Sequence, residues 1–279
     1  MNSKIFNRTL LRQRRNRAAA GWSNYNFLKV EAAERLADCL ADIARPFPLA
    51  LELGCHKGEL SRIMGKSSTI IQCDFAEKMR PQVVCDEEFL PFAPGIFDLA
   101  ASVLSLHHVN DLPGSLIQIR EVLKPDGLFI AILPGAKTLI ELRSAITGAA
   151  AEHGFALSPR IAPFVEVRDA GTLMQRAGFA LPVINSETVT VNYNNALDLM
   201  NDLRGMGEAN ILLGQHRGFT PRACIAAICD YYQSHFSASG GGVTATFELV
   251  TMTGWKPHPS QQQAAKRGSG EIKLTQVFG

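Results

Sequence analysis

Residues 51–58, LELGCHKG, give the clearest indication of the fold of this chain. Residues 49–53 are apolar apart from Glu52, and a turn that contains Gly54 and Gly58 follows them. A short apolar run that ends in a glycine turn before a helical pattern is typical of a buried strand in an α/β sheet. Open α/β sheets bind ligands beyond the carboxyl ends of their strands, so this turn is the first candidate site.

Further strands and helices alternate on the C-terminal side of this turn. Between the apolar runs that predict strands, apolar residues recur at helical spacing. Strands that alternate with helices indicate a parallel sheet with helices on both faces. A strand pair at 179–184 and 243–254, the second strand antiparallel, is predicted to complete the α/β fold. The apolar runs that predict the other strands lie at 69–73, 83–85, 97–106 and 127–133.

The chain of 279 residues is long enough for one large domain with additions. We predict a basic N-terminal arm at 1–25 and one domain at 26–256, whose core is 48–135. A mostly helical insertion at about 187–240 would contact a substrate or partner. Residues 257–279 are predicted to be a polar tail.

Composition excludes several classes of protein. Hydrophobic residues make up 46% of the chain and charged residues 19%, which excludes wholesale disorder. No apolar run approaches the roughly 18 residues of a spanning helix. The six cysteines form no C-x-x-C pair and are not followed by histidines at zinc spacing, so we expect reduced thiols in a cytosol or matrix compartment.

The positive charge is concentrated in the arm. Residues 1–17 hold six basic side chains and no acid, and because the whole chain carries +2, the remainder carries −4. Such an arm suits contact with an acidic partner, a membrane surface or nucleic acid, and it is also similar to an organellar transit peptide. The alternative is a solvated tail.

Three acids follow predicted strands. Glu52 precedes the glycine turn, and Asp74 comes about twenty residues later, the spacing of a carboxylate that holds ribose hydroxyls. Asp86, followed by Glu87, could accept a hydrogen bond from an adenine amino group. The turn is neither G-x-G-x-x-G nor a Walker loop, which disfavours a dinucleotide or nucleoside triphosphate.

With these motifs the chain resembles the class I S-adenosylmethionine-dependent methyltransferases, which have a Rossmann-like sheet. The matching stretches are LELGCHKG at 51–58, CD at 73–74, CDEEFLPF at 85–92, FDLAASVLSLHHVND at 97–111 and LKPDGLFI at 123–130. The resemblance implies S-adenosylmethionine as cofactor. Its implied binding residues are Glu52, Gly54, Cys55 and Gly58 at the methionine end, Asp74 with Phe75 at the ribose, and Asp86 with Glu87 at the adenine.

One residue departs from that pattern. His56 stands where the methyltransferases usually have a second glycine, so its side chain would crowd the ligand or require a positive φ.

The flanking segments narrow the resemblance. IFNR at 5–8 with RQRRNRAA at 12–19, DLRGMGEAN at 202–210 and GWKPHPSQQ at 254–262 are similar to the complex I assembly factor 5 family. Asn7 departs from it, standing where that family usually has an acid. The resemblance implies hydroxylation of an arginine in an iron–sulfur subunit of respiratory NADH dehydrogenase. It also implies a protein partner rather than nucleic acid, and peripheral membrane association through that partner. A bacterial member is expected in the cytoplasm, and a eukaryotic one in the mitochondrial matrix or at the inner membrane.

Two alternatives remain open. The malonyl-carrier-protein O-methyltransferase of biotin synthesis shares the sheet and the DLRxxG element at 202–207. The other alternative is a protein that kept the fold and binds S-adenosylmethionine but catalyses no reaction. Methyl transfer mainly needs alignment of the two reactants, whereas hydroxylation of an unactivated carbon normally uses a metal or flavin.

The sequence assigns no catalytic residue firmly. His108 is the candidate, placed at the pocket mouth after the fourth strand, and a hydrogen-bonded loop histidine is the alternative. His107, His108 and Asp111 form a local cluster, but neighbours on a strand point to opposite faces, so no metal site is predicted. Glu208 and Arg204 would face a protein substrate or pair with each other within a helix.

Overall fold

A computed structural model describes residues 4–65, 68–155, 158–215 and 218–262. Within them seven strands form one sheet, and the predicted parallel core with an antiparallel C-terminal pair is confirmed. The strands are β1 Leu49–Leu53, β2 Thr69–Asp74, β3 Val83–Val84, β4 Phe97–Val103, β5 Leu123–Pro134, β6 Ala180–Tyr193 and β7 Val243–Trp255. Their order in the sheet is β3-β2-β1-β4-β5-β7-β6, with β7 antiparallel to both neighbours.

Helices cover both faces of this sheet. The core strands are buried on both sides, as is usual for a parallel sheet. Side chains of alternate residues, such as Leu51 and Ala50, therefore enter two separate apolar clusters. The described helices are α1 Arg8–Ala18, α2 Phe27–Ala41, α3 Glu59–Met64, α4 Leu112–Val122, α5 Ile140–His153, α6 Val167–Arg176, α7 Ala196–Gly205 and α8 Arg222–His235.

Several elements differ from the sequence prediction: β5 begins at Leu123 and β6 continues to Tyr193, beyond the predicted 127–133 and 179–184. The strand predicted at 97–106 ends at Val103, because Leu104 adopts a φ of +44° that no strand allows. The chain then forms a 3₁₀ turn at Leu106–His108. The insertion predicted at about 187–240 contains α7 and α8, but residues 187–193 belong to β6 and 206–215 are irregular, so it is less helical than predicted.

The N-terminal arm is packed against the domain and is not a solvated tail. Asn7 caps α1 by accepting a hydrogen bond from Leu10 N at 2.9 Å, a role in which asparagine and aspartate are equally good. Leu11 and Arg15, four residues apart on one face, are completely buried. Asn7 N also donates to Ile211 O at 2.8 Å, so the arm joins the insertion as well as the core.

The C-terminal tail lies largely outside the described residues, which end at 262. Among the described residues, none of the helices combines the length and the hydropathy that a membrane span requires.

Candidate functional site

The glycine turn after β1 is packed against the protein's own side chains. Gly54 and Gly58 have φ of +63° and +75°, in the region that glycine adopts without strain. A Cβ on Gly54 would lie 2.0 Å from Ser105 Oγ, and one on Gly58 would lie 2.1 Å from Gln72 Nε2. Packing against Ser105 therefore requires glycine at 54, whereas at 58 the neighbour is the end of a flexible side chain and the positive φ is the reason for glycine.

His56 has the positive φ that its position in the turn requires, +50°. Its ring is buried and stacks on Trp22 with 4.6 Å between ring centroids. His56 Nδ1 lies 3.1 Å from Lys29 Nζ and 2.9 Å from Gly54 O. Burial, followed by the charges of Lys29 and Arg15, keeps the pKa of His56 well below its usual value, so the ring is neutral.

Lys29 is a buried cation that the sequence analysis did not select. It lies on the buried face of α2, and its ammonium donates hydrogen bonds to Gly54 O and Val103 O. Burial lowers the pKa of Lys29, although the nearby Glu52 opposes that shift. A lysine on an otherwise apolar helix face was the signal that could have identified it.

The first two acids lie where the sequence predicted, at the ends of β1 and β2. Glu52 accepts a hydrogen bond from Ser61 Oγ, and burial raises its pKa. Asp74 accepts from His56 N at 3.0 Å and from Ala76 N at 2.8 Å. Burial also raises the pKa of Asp74, against the opposing charge of Arg15, whose Nη1 lies 4.0 Å away.

The third acidic pair is bound to the arm. Arg8 Nη2 lies 2.5 Å from Asp86 Oδ1 and also contacts Glu87. Glu87 is buried, accepts from Ser105 Oγ at 2.7 Å and lies 3.5 Å from Arg15 Nη1. Burial alone would raise the pKa of Glu87, but the charges of Arg8 and Arg15 outweigh burial and lower it.

Two arginines of α1 thus occupy the cradle that the methyltransferase resemblance assigns to an adenosyl group. Their guanidinium carbons lie 4.4 Å (Arg8) and 5.0 Å (Arg15) from the centre of the Phe75 ring, where a cation is attracted to the ring face. Cys55 is buried in the same turn. Asp74, Phe75, Asp86 and Glu87 are brought together around Arg8 and Arg15, whereas Glu52 and Gly58 lie next to Gln72.

A cavity of about 370 Å³ lies beside the cradle. Lys29 and His56 form part of its wall next to the cradle, and His107, His108 and Glu208 also line it. Much of the remaining wall is apolar, from α5, α7 and α8, with residues such as Leu142, Leu203 and Ile228. Its volume falls within the range of small-molecule sites.

His107, His108 and Glu208 converge on this cavity wall. The Nε2 atoms of His107 and His108 lie 3.1 Å and 3.5 Å from the same oxygen, Glu208 Oε2. Burial keeps the pKa of His108 well below its usual value. Burial would raise the pKa of Glu208, but the two histidines and then Arg15 outweigh it, so Glu208 is ionised.

The predicted pairing of Glu208 with Arg204 within a helix is wrong, whereas its place in the cavity wall leaves the predicted role toward a substrate open. Glu208 lies beyond the end of α7 and contacts histidines instead of pairing with Arg204 inside a helix. Asp111, predicted to lie near these histidines, caps α4 by accepting from Gly114 N at 3.0 Å. Because His107 and His108 lie on a 3₁₀ turn, the strand argument against a shared ligand does not apply to them.

Comparison with known proteins identifies the family. Residues 51–131 match the family described as "Methyltransferase domain". The arginine-hydroxylase NDUFAF5, mitochondrial, of Rattus norvegicus is 40% identical over 97% of this chain and 82% of its own length. The chain belongs to the arginine-hydroxylase NDUFAF5 family. The resemblance seen in the flanking motifs is therefore confirmed, and the protein is an enzyme with a methyltransferase-like fold.

More remote relatives agree with the fold. A malonyl-[acyl-carrier protein] O-methyltransferase of Methylovorus sp. is 30% identical over 91% of this chain and 90% of its own length, and so is more distant than the NDUFAF5 relatives. A methyltransferase structure from Bacillus halodurans superposes with a TM-score of 0.54 at 15% identity, covering 80% of this chain and 99% of that one. The Rossmann-like class I methyltransferase fold is confirmed.

Proposed function

We propose that this protein hydroxylates an arginine side chain of a protein substrate, an iron–sulfur subunit of respiratory NADH dehydrogenase. The observation that carries the proposal is the match to arginine-hydroxylase relatives over nearly the whole chain. That match includes the arm and the segment at 202–210, which lie outside the methyltransferase domain at 51–131.

The cavity is a suitable place for the target side chain. Its volume of about 370 Å³ fits one long side chain, and its apolar wall suits the methylene groups of arginine. A guanidinium group binds carboxylates best, and Glu208 and Glu248 are the carboxylates among the described lining residues.

S-adenosylmethionine does not fit the cradle as it is arranged here. Its expected ribose and adenine partners contact Arg15 and Arg8, and His56 with Trp22 fills the turn. Withdrawal of α1 would free Asp74, Asp86 and Glu87, so binding of this cofactor remains a prediction that depends on the arm. No step of the proposed hydroxylation uses it.

The location that we propose for this protein follows from that of its partner. Relatives are named as mitochondrial proteins. For a eukaryotic member we infer the matrix face of the inner membrane, reached through the membrane-bound partner, and for a bacterial member the cytoplasm. Nucleic acid is not part of this proposal, because the arm's arginines Arg8 and Arg15 are paired with acids of the domain.

Mass spectrometry of the iron–sulfur subunit tests the proposal. Cells that lack this protein should lose one added oxygen on an arginine, and the wild-type chain should restore it. Ile161→Trp fills the cavity and should restore less of the oxygen, whereas Ile117→Trp, exposed on α4, should restore it fully. An arginine that is still oxidised without the protein, or one that loses a methyl group instead, would refute the proposal.

A further inference from the structure

We propose that His107, His108 and Glu208 form a binding site for a divalent transition-metal ion of the Fe²⁺ type in the wall of the cavity. The three residues come from separate parts of the chain, because the histidines follow β4 and the glutamate follows α7. Metal binding is argued from their geometry. The use of the ion for hydroxylation rests on the proposed function.

The turn at Leu106–His108 makes neighbouring histidines usable as a pair. On a strand their side chains would point to opposite faces, but here the rings lie 4.0 Å apart, centre to centre. Both Nε2 atoms point to one carboxylate oxygen, at 3.1 Å and 3.5 Å.

These distances match those between ligands of one small ion. A metal that binds nitrogen and oxygen at about 2.1 Å holds neighbouring ligand atoms about 3.0 to 3.4 Å apart. The three ligand atoms all lie within 4.8 Å of one another, so a small closure brings them onto one ion.

Both histidines are buried, and their Nε2 atoms share one acidic partner. The side chains of His107 and His108 are 5% and 4% exposed, and neither Nδ1 atom has a hydrogen-bond partner among the described residues. Glu208 Oε2 is thus the shared polar partner of the two buried rings.

The donor set indicates the class of metal. Two imidazoles and one carboxylate with open positions are typical of non-haem Fe²⁺ sites, and imidazole alone also suits zinc, copper and nickel. The ligands line the cavity, so open positions would face a bound side chain. Hydroxylation of an unactivated carbon by dioxygen puts one oxygen atom into the C–H bond, and a two-electron reductant converts the other to water. Such chemistry normally uses a metal or flavin, which favours Fe²⁺ over the redox-inactive Zn²⁺.

Titration of the metal-free, full-length protein with Co²⁺ tests the site by visible absorption, and Fe²⁺ added without oxygen should compete for it. We expect one ion per chain. His107→Gln, His108→Gln and Glu208→Gln should each weaken binding at least about tenfold, since even indirect changes at metal sites cost about 10- to 100-fold. His235→Gln, an exposed histidine on α8, is the matched control and should bind as the wild type does.

Circular dichroism and thermal unfolding without metal must show that each variant is folded, and Glu208→Asp, which keeps the carboxylate, should retain measurable binding. Absence of Co²⁺ and Fe²⁺ binding by the wild type, or equal binding by the three folded variants, would overturn the metal site. Arginine hydroxylation by a metal-free protein would overturn the use of the ion in hydroxylation, while leaving the proposed function intact. Metal bound through these three ligands without any arginine oxidation would support the site and contradict the proposed function alone.

Discussion

At Gly54 a positive φ and a closely packed neighbour, Ser105, both require glycine. Gly54→Ala should destabilise the protein by at least about 2 kcal/mol, because a left-handed alanine costs about 1–2 kcal/mol and overpacking a core costs about 1–3. Gly154→Ala is the matched control, since its φ is +70° but no atom lies within 4 Å of the new Cβ. Urea unfolding of both variants should show a clearly larger loss at Gly54; equal losses would mean that Ser105 moves aside freely.

His56 should make stability depend on pH. The folded protein holds the ring neutral, with Lys29, Arg15 and Asp74 around it, so its folded pKa lies below the unfolded value of about 6.5. The unfolded chain therefore binds a proton first as pH falls, and stability is lost below pH 6.5. Between pH 7.5 and 5.5, His56→Asn should lose about 1.4 kcal/mol less than the wild type.

The measurement for His56 is urea unfolding at the two pH values, with the exposed His235→Asn as control. Asparagine tolerates a positive φ, so the backbone of the turn is retained. If His56→Asn and the wild type lost the same free energy, the buried ring would not be the titrating group.

At the scale of elements, the sequence predicted positions within strands better than contacts between distant segments. Glu52 and Asp74 were found because a strand and its end are local features of the chain. Arg15 was seen only as part of a basic arm, although its spacing from Leu11 places both on one helix face. Its pairing with Glu87, 72 residues away, depends on how α1 packs, which local patterns do not contain.

Helix α1 should control access to the cradle. Arg15→Gln removes one of the cations that contact Asp74 and Glu87, so we expect S-adenosylmethionine to bind at least about tenfold more tightly than to the wild type, about 1.4 kcal/mol. Arg12→Gln, exposed on the same helix, makes the same charge change and should have no effect. Equilibrium dialysis measures both, and tight binding by the wild type with α1 still protected from protease would contradict this role.

At the scale of the whole molecule, three segments that are distant in sequence interlock around the cavity. Arg14 donates to Asn210 O, Phe6 bridges to Leu212, and Asn110 Oδ1 accepts from Phe6 N at 2.9 Å. The arm, the insertion and the loop after β4 therefore hold one another in place. The sequence predicted each segment and a substrate role for the insertion, but not that the insertion supplies Glu208 to His107 and His108.

A metal ion bound by His107, His108 and Glu208 would link the insertion to the core. Binding should therefore raise the thermal stability of the whole protein. An ion that binds only the folded state adds about 2.7 kcal/mol at a concentration of 100 times its Kd. Thermal unfolding of the full chain should therefore shift upward with Co²⁺ for the wild type and for His235→Gln, but much less for Glu208→Gln. An equal upward shift in Glu208→Gln would show that the ion stabilises the protein somewhere other than between the insertion and the turn after β4.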